Sequence, residues 1–446
     1  MAVTGDDYAA LTDLTSNIMK EIWATYKDAV MLDKKNVGWP RVKDNQGGGV
    51  ETNPETGMWR VRIPYLDSIN QQAGPTVSNT RHKAGHSTSL NFYFETKMYD
   101  ATFGITLSAI NMTKSNRVAA VNQLSLEMKN LKTRLHSDLS QDYHMDGSGA
   151  KAYLPAADND ATFSVVAPAM VEVGHVINIL YYTTDTTERI TADDAITAVG
   201  EPTWSSGLPT QVITITDTPA STAANDFVVI SQQADGTAAD STQTGNAGSI
   251  TGLGAIFNDA NPQPGNYGNR DRTSTYTKNV ATVHDGNASS IYPYINTTYF
   301  RALDRNMMDK LWEAQLLKGG NVDYILCSPA MEREYISMQE MNTNRTPARV
   351  TTVDHSISGP EYRGKPLVQD PYCLPCRMYF LDESAVGKKE VWPVMPWPNA
   401  ESAMMPATNG VFGFTYTLST RLEVVSGACW KQALLADIFE NHHADV

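Results

Sequence analysis

Apolar residues recur along this chain at two different periods, and each change of period marks an element boundary. Between residues 8 and 32, Tyr8, Leu11, Leu14, Ile18, Ile22, Tyr26 and Val30 fall at steps of three or four, which predicts one helical face. Pro40, Gly47-Gly48-Gly49 and Pro54 to Gly57 then read as turns. From Met58 to Ile63 apolar residues alternate with Arg60 and Arg62. Alternation returns from Leu90 to Met98 through Phe92 and Phe94, and continues at Phe103, Ile105 and Leu107. The polar stretch between these runs holds Gly74-Pro75 and Arg81-His82-Lys83, so the pattern predicts an extended hairpin with a basic tip.

The strongest helical signal runs from Ser115, a suitable N-cap, to about Met145, with Val121, Leu124, Met128, Leu131, Leu135 and Leu139 as its apolar stripe. Such a helix would be about 45 Å long. Asp146-Gly147-Ser148-Gly149 ends it. Short strand-like runs follow at Phe163–Val166, Val171–Tyr182, Val212–Thr216 and Phe227–Ile230, separated by Ala, Thr, Asp, Gly and Ser, which predicts a small all-β unit. Beyond Arg270, Thr298 is placed to cap a helix carrying Phe300, Leu303, Met307, Leu311 and Ala314, ended by Gly319-Gly320. Tyr324–Cys327 reads as a buried strand, and Ser328-Pro329 opens a helix to about Glu340. Strands are expected at Lys365–Val368, Arg377–Leu381 and Leu422–Val425, so the class is α+β.

Charge divides the chain. The net charge is −14 over 446 residues, yet residues 152–269 hold one basic residue, Arg189, against 13 acids, so −12 of it falls there. Two compositions in one chain predict an acidic domain inserted in a nearly neutral host, and the length allows two or three domains. An acidic protein is poorly suited to binding duplex DNA through its phosphates. No apolar run approaches the roughly 18 residues of a membrane span. The start, MAVTGDDYAALTDL, lacks the basic and apolar regions of a secretory signal. Four cysteines are too few for a disulfide framework, which makes a reducing compartment the expectation.

The chemistry-bearing motifs are weak. Gly359-Pro-Glu-Tyr-Arg-Gly364-Lys365 fits the first part of a phosphate loop. However, Pro366 stands where a hydroxyl is needed, and two prolines remove amide donors, so a turn before a strand is the better reading. Cys373-Leu-Pro-Cys376 has metal or redox spacing, but Cys327 and Cys429 lie in apolar contexts that read as core. His82 and His86 flank Gly85, and His442-His443 lies near the terminus. No catalytic, metal-binding or cofactor-binding set is expected.

The order of parts, together with several short strings, resembles a major capsid protein of a tailed double-stranded DNA phage. The strings are Leu303-Asp-Arg-Asn-Met-Met-Asp309, Gly319-Gly-Asn-Val-Asp323 with Tyr324-Ile-Leu-Cys-Ser328, Tyr362-Arg-Gly364-Lys-Pro-Leu-Val368-Gln-Asp370, Met378-Tyr-Phe-Leu-Asp382 and Leu422-Glu-Val-Val-Ser-Gly-Ala-Cys-Trp-Lys431. The resemblance implies a Hong Kong 97-type capsid fold with an inserted β-rich domain. It implies a helical arm at 1–32, an extended hairpin loop with peripheral-domain strands at 33–110 and a spine helix at 111–151. The acidic β-rich insertion then covers 152–269 and the axial domain 270–375, with return strands at 376–446. A structural subunit of an icosahedral shell follows, self-assembling as pentamers and hexamers in the bacterial host cytoplasm and enclosing DNA without sequence-specific binding. Because no long N-terminal scaffolding segment is visible, a separate scaffolding protein is implied, with a portal and a decoration protein as further partners. Arg60, Arg62, Arg81, His82 and Lys83 are the expected subunit-interface residues. The alternatives are a carbohydrate-active enzyme, or a surface-layer or adhesin protein with an acidic β domain.

Overall fold

The computed structural model describes residues 49–54, 56–68, 88–106, 117–181, 189–190, 194–205, 207–230, 249–257, 267–272, 279–286, 300–343, 349–351, 358–397, 404–406 and 413–440. The expected helix at 8–32, the basic tip at 81–83, His86 and His442-His443 lie outside them.

Strands β1 (Gly49–Thr52), β2 (Trp59–Ser68) and β3 (Thr88–Glu95) form an antiparallel sheet. The alternation read from Leu90 to Met98 is not one strand: it breaks at Thr96, whose amide and hydroxyl both bond the carbonyl of Trp59. Strand β4 (Lys97–Thr106) therefore joins a different sheet. Helix α1 (Arg117–His144) is 28 residues long, or about 42 Å.

The acidic stretch opens with β5 (Ala150–Tyr153), β6 (Thr162–Val166) and β7 (Val176–Leu180). Then come β8 (Asp194–Ala195), β9 (Ala198–Val199), β10 (Thr203–Ser205), β11 (Leu208–Thr214) and β12 (Phe227–Ile230). They form two four-stranded sheets, β5-β12-β7-β8 and β10-β11-β6 with β9 also on β11. Val171–Tyr182 is a strand only from Val176, because Val173-Gly174 turn, with φ +92° at Gly174. Phe163, Val165, Ile213 and Ile215 of one sheet pack on Ile177, Ile179 and Val228 of the other. A second apolar cluster joins Tyr153, Val166, Leu208 and Phe227 to Phe300, Leu374 and Cys376.

Helix α2 (Leu253–Phe257) and β13 (Thr282–His284) precede α3 (Arg305–Leu317), β14 (Tyr324–Cys327) and α4 (Pro329–Thr343). The strands β15 (Arg349–Thr351), β16 (Ser358–Tyr362), β17 (Lys365–Gln369) and β18 (Met378–Leu381) follow. The chain closes through β19 (Val386–Trp397), β20 (Met404–Pro406), β21 (Gly413–Ser426) and β22 (Ala433–Leu435). A seven-stranded mixed sheet runs β13-β22-β18-β14-β17-β16-β15, parallel at β13–β22 and β14–β17. Every residue of β14 is buried because the sheet is covered on both sides. Ile325 and Cys327 meet Met308, Leu311, Met331 and Tyr335 of α3 and α4, whereas Tyr324 and Leu326 share a core with Leu135, Leu139 and Tyr143 of α1.

Two further expectations are corrected. Helix α3 begins at Arg305, not at Thr298: Asp304 in extended conformation accepts the Asn306 amide, and Arg301 is held in backbone bonds to Asp437 and Phe439. The short strand expected at Leu422–Val425 is instead the end of 14-residue β21, paired with both β4 and 12-residue β19. Pro393 and Pro396 hide β19 in the sequence; they are tolerated because it is an edge strand whose register shifts twice.

Candidate functional site

Strand β2 turns Val61, Ile63 and Tyr65 into the core, so Arg60 and Arg62 share its opposite face. Register places Arg60 between two carboxylates, Glu51 on β1 and Glu95 on β3. Its Nη2 lies 2.6 Å and its Nε 2.8 Å from Oε1 of Glu51, and its guanidinium covers the Tyr93 ring at 4.2 Å from the centroid. Arg62 reaches the same carboxylate only at 3.8 Å, and its side chain is 51% exposed. The structure thus brings the two described members of the expected set together but spends Arg60 inside its own sheet. Arg62 is the one presented outward.

Apolar residues that the sequence reading passed over surround the root of this sheet. Met58, Trp59 and Met98 are all exposed. Trp59 continues the inward face of β2 past the edge of the core, and Arg421 ties the region together. Its Nε donates to Thr96 Oγ1 at 2.9 Å, and its guanidinium stands 5.7 Å from the Trp392 ring centroid. A surface of Met, Trp and Arg has the composition of protein–protein contact cores. At the end of α3, Leu317 is 89% exposed beside Leu316, two leucines that overrun the stripe facing the core.

A buried polar seam closes the C-terminal end of α1. Tyr99 of β4 donates to Asp142 Oδ2 at 2.6 Å, and Lys151 Nζ approaches Oδ1 of the same carboxylate at 2.5 Å. His144 Nε2 lies 3.4 Å from Asp370 Oδ2, both side chains being fully buried. Glu423 accepts the Thr251 amide at 2.6 Å, and burial pushes its carboxyl up to about 7. Apart from Lys151, which follows Asp142 by nine residues, these partners come from sequence-distant segments, and no periodicity reveals them.

The weak motifs resolve into structure. Arg363 and Gly364, at φ +51° and +78°, form the two-residue turn of the β16–β17 hairpin, a type I′ geometry. Arg363 pairs with Asp309 of α3, and Lys365 lies 3.7 Å from Asp323. The Tyr362 hydroxyl, 2.5 Å from Asp309, and then Arg363 hold that carboxyl below its ordinary range. All four cysteines are buried free thiols, and burial pushes each of them up, which disfavours the thiolate needed for metal binding or exchange. Among the described residues no group of three His, Cys, Asp or Glu is placed to hold a metal ion.

No protein-family model matches the chain, and no curated protein matches it. Solved structures do. The chain is similar to the capsid asymmetric unit of cyanophage A-1(L), at 11% identity and TM-score 0.48 over 90% of both chains. A structure from Mycobacterium phage Bobi matches at 8% identity and TM-score 0.40, over 91% of this chain and 92% of that one. The satellite phage P4 procapsid with its size-determination protein matches at 9% identity and TM-score 0.34, over 95% and 90%.

Proposed function

We propose that this chain is the structural subunit of the icosahedral head shell of a tailed double-stranded DNA phage, built on the Hong Kong 97-type plan and without enzymatic activity. One observation carries the reading, the order of the elements. Strands paired across residues 69–87 come first, followed by a 28-residue helix, two small acidic sheets and a mixed sheet covered by two helices. This is the succession that the sequence resemblance implies for hairpin loop, spine helix, insertion and axial domain. On this reading residues 33–110 reach over a neighbouring copy, 111–151 form the spine, 152–269 the outward insertion, 270–375 the axial domain and 376–446 the return strands, with 1–32 as the arm. Arg62, with Arg81, His82 and Lys83 at the tip, meets acidic residues of the neighbour, and the Met58–Trp59–Met98 surface is covered in the same contact. Head-to-tail contacts of this kind close into rings and shells. A near-neutral to acidic inner wall encloses DNA without holding it.

Scaffolding, portal and decoration proteins complete the assembly, which takes place in the host cytoplasm. The test is light scattering and negative-stain microscopy of the full chain, expressed with and without a candidate scaffolding protein. Closed particles tens of nanometres across are expected. A small oligomer under both conditions overturns the reading, and glycoside hydrolysis by that oligomer would favour the carbohydrate-active alternative.

A further inference from the structure

Asp142 and Lys151 face each other across the turn that leaves α1, the helix end to which Asp142 belongs and the first strand of the acidic unit, β5, to which Lys151 belongs. Both residues are buried, at 3% and 8% exposure. An ammonium removed from water needs acceptors for three N–H groups. Among the described residues the one acceptor within hydrogen-bond distance of Lys151 Nζ is Asp142 Oδ1, at 2.5 Å. The other carboxylate oxygen is held by the Tyr99 hydroxyl at 2.6 Å, and that hydroxyl receives the Ile250 amide at 2.9 Å, so its proton is directed at Asp142. The frame is stiff: Met145 N bonds Asp142 O, Gly254 N bonds Met145 O, and residues 139–148 are all buried.

We propose that Lys151 and Asp142 condense, after folding, into an intramolecular amide between Nζ and Cγ, with loss of one water molecule. The step balances within the pair. The ammonium passes a proton to Oδ1, and the freed nitrogen lone pair attacks Cγ. The C=O π pair moves onto Oδ2, where the Tyr99 hydroxyl stabilises it as an oxyanion-hole donor would. A second Nζ proton goes to Oδ1, the Cγ–Oδ1 bond breaks and water leaves. One N–H remains, which is all an amide carries. No oxidant, metal or co-reactant is required. Reactants fixed in contact reach effective concentrations of about 10⁵–10⁸ M, which favours a condensation that bulk water opposes. The product also relieves the burial of a cation with a single acceptor. The bond would staple the end of α1 to β5, fixing the acidic unit to the host at its root, and it does not depend on the shell reading.

Intact-mass measurement of the full folded chain is the test. The expected mass is one water below the sequence value, and digestion should yield a branched peptide joining the segments that contain Asp142 and Lys151. A succinimide at Asp146-Gly147 would shed the same mass, so Lys151→Met is measured alongside; it should restore the full mass. Tyr99→Phe, refolded from denaturant, should form the product about 10²-fold more slowly than the parent chain. The full sequence mass in the folded parent, or a water loss that survives Lys151→Met, overturns the proposal and leaves an ordinary buried ion pair.

Discussion

The amide of Thr251 donates to Oε1 of Glu423 at 2.6 Å, joining the segment that returns from the acidic unit to the C-terminal part of the longest described strand. Oε2 of the same carboxylate is buried, with no hydrogen-bond partner among the described residues. Ionised Glu423 is therefore costly. Its carboxyl, near 4.5 when unfolded, is raised to about 7 in the folded chain. The stability it contributes is complete below about pH 4.5 and is lost as pH rises through 7, by a few kcal/mol at about 1.4 kcal/mol per pH unit. Thermal unfolding of Glu423→Gln between pH 5 and 8 should show a flatter pH dependence than the parent chain. An unchanged slope would assign the pH dependence to other groups.

The two arginines of β2 should separate. Arg60→Glu faces Glu51 and Glu95 and loses the Tyr93 contact, so the subunit itself should unfold earlier, by about 1 kcal/mol or more. Arg62→Glu should leave the melting temperature within about 0.5 kcal/mol equivalent of the parent and lower particle yield. Sedimentation and calorimetry on both variants check this, and an Arg62 variant that assembles normally removes that residue from the interface.

Gly252 packs against the last carbonyls of α1. A Cβ there would lie 2.3 Å from Tyr143 O, 2.5 Å from Asp142 O and 2.6 Å from Met145 O, all backbone. Gly252→Ala should cost about 3 kcal/mol or prevent folding, as read by denaturant titration or soluble yield.

Within α1, Leu135 is 2% exposed, whereas Leu131, which belongs to the same stripe, is only half-buried. Leu135→Ala should cost about 2–5 kcal/mol and Leu131→Ala clearly less. Equal losses in chemical denaturation would contradict the burial difference.

Residues 152–269 expressed alone should give a β-type circular dichroism spectrum with amide protection in the strands around Ile177, Ile213 and Val228. The face that packs Tyr153, Leu208 and Phe227 on Phe300 and Leu374 would become exposed, so the fragment should be less stable than the same strands in the whole chain. A random-coil spectrum without protected amides would refute independent folding.

Local order was legible in the sequence wherever one face of an element meets one core. The alternation at Val61 and Ile63, the stripe through Leu135 and Leu139, the buried run Tyr324–Cys327 and the Ser328-Pro329 helix start all reflect periods of two or 3.6 that a short window contains. The acidic composition of residues 152–269 was legible in the same way. Tertiary structure decided what depends on distant partners. Asp142 and His144 lie off the apolar stripe of α1 yet are buried, because Tyr99 of β4, Lys151 of β5 and Asp370 close over them. β19 becomes a strand despite two prolines because β21 pairs along it from one side only. Arg60 and Arg62 look equivalent in the sequence, and only the register of β1 and β3 gives one of them two carboxylate neighbours and leaves the other exposed. A period is a property of consecutive residues, whereas a buried charge and its partner need not be near in sequence; Glu423 and Thr251 stand 172 residues apart.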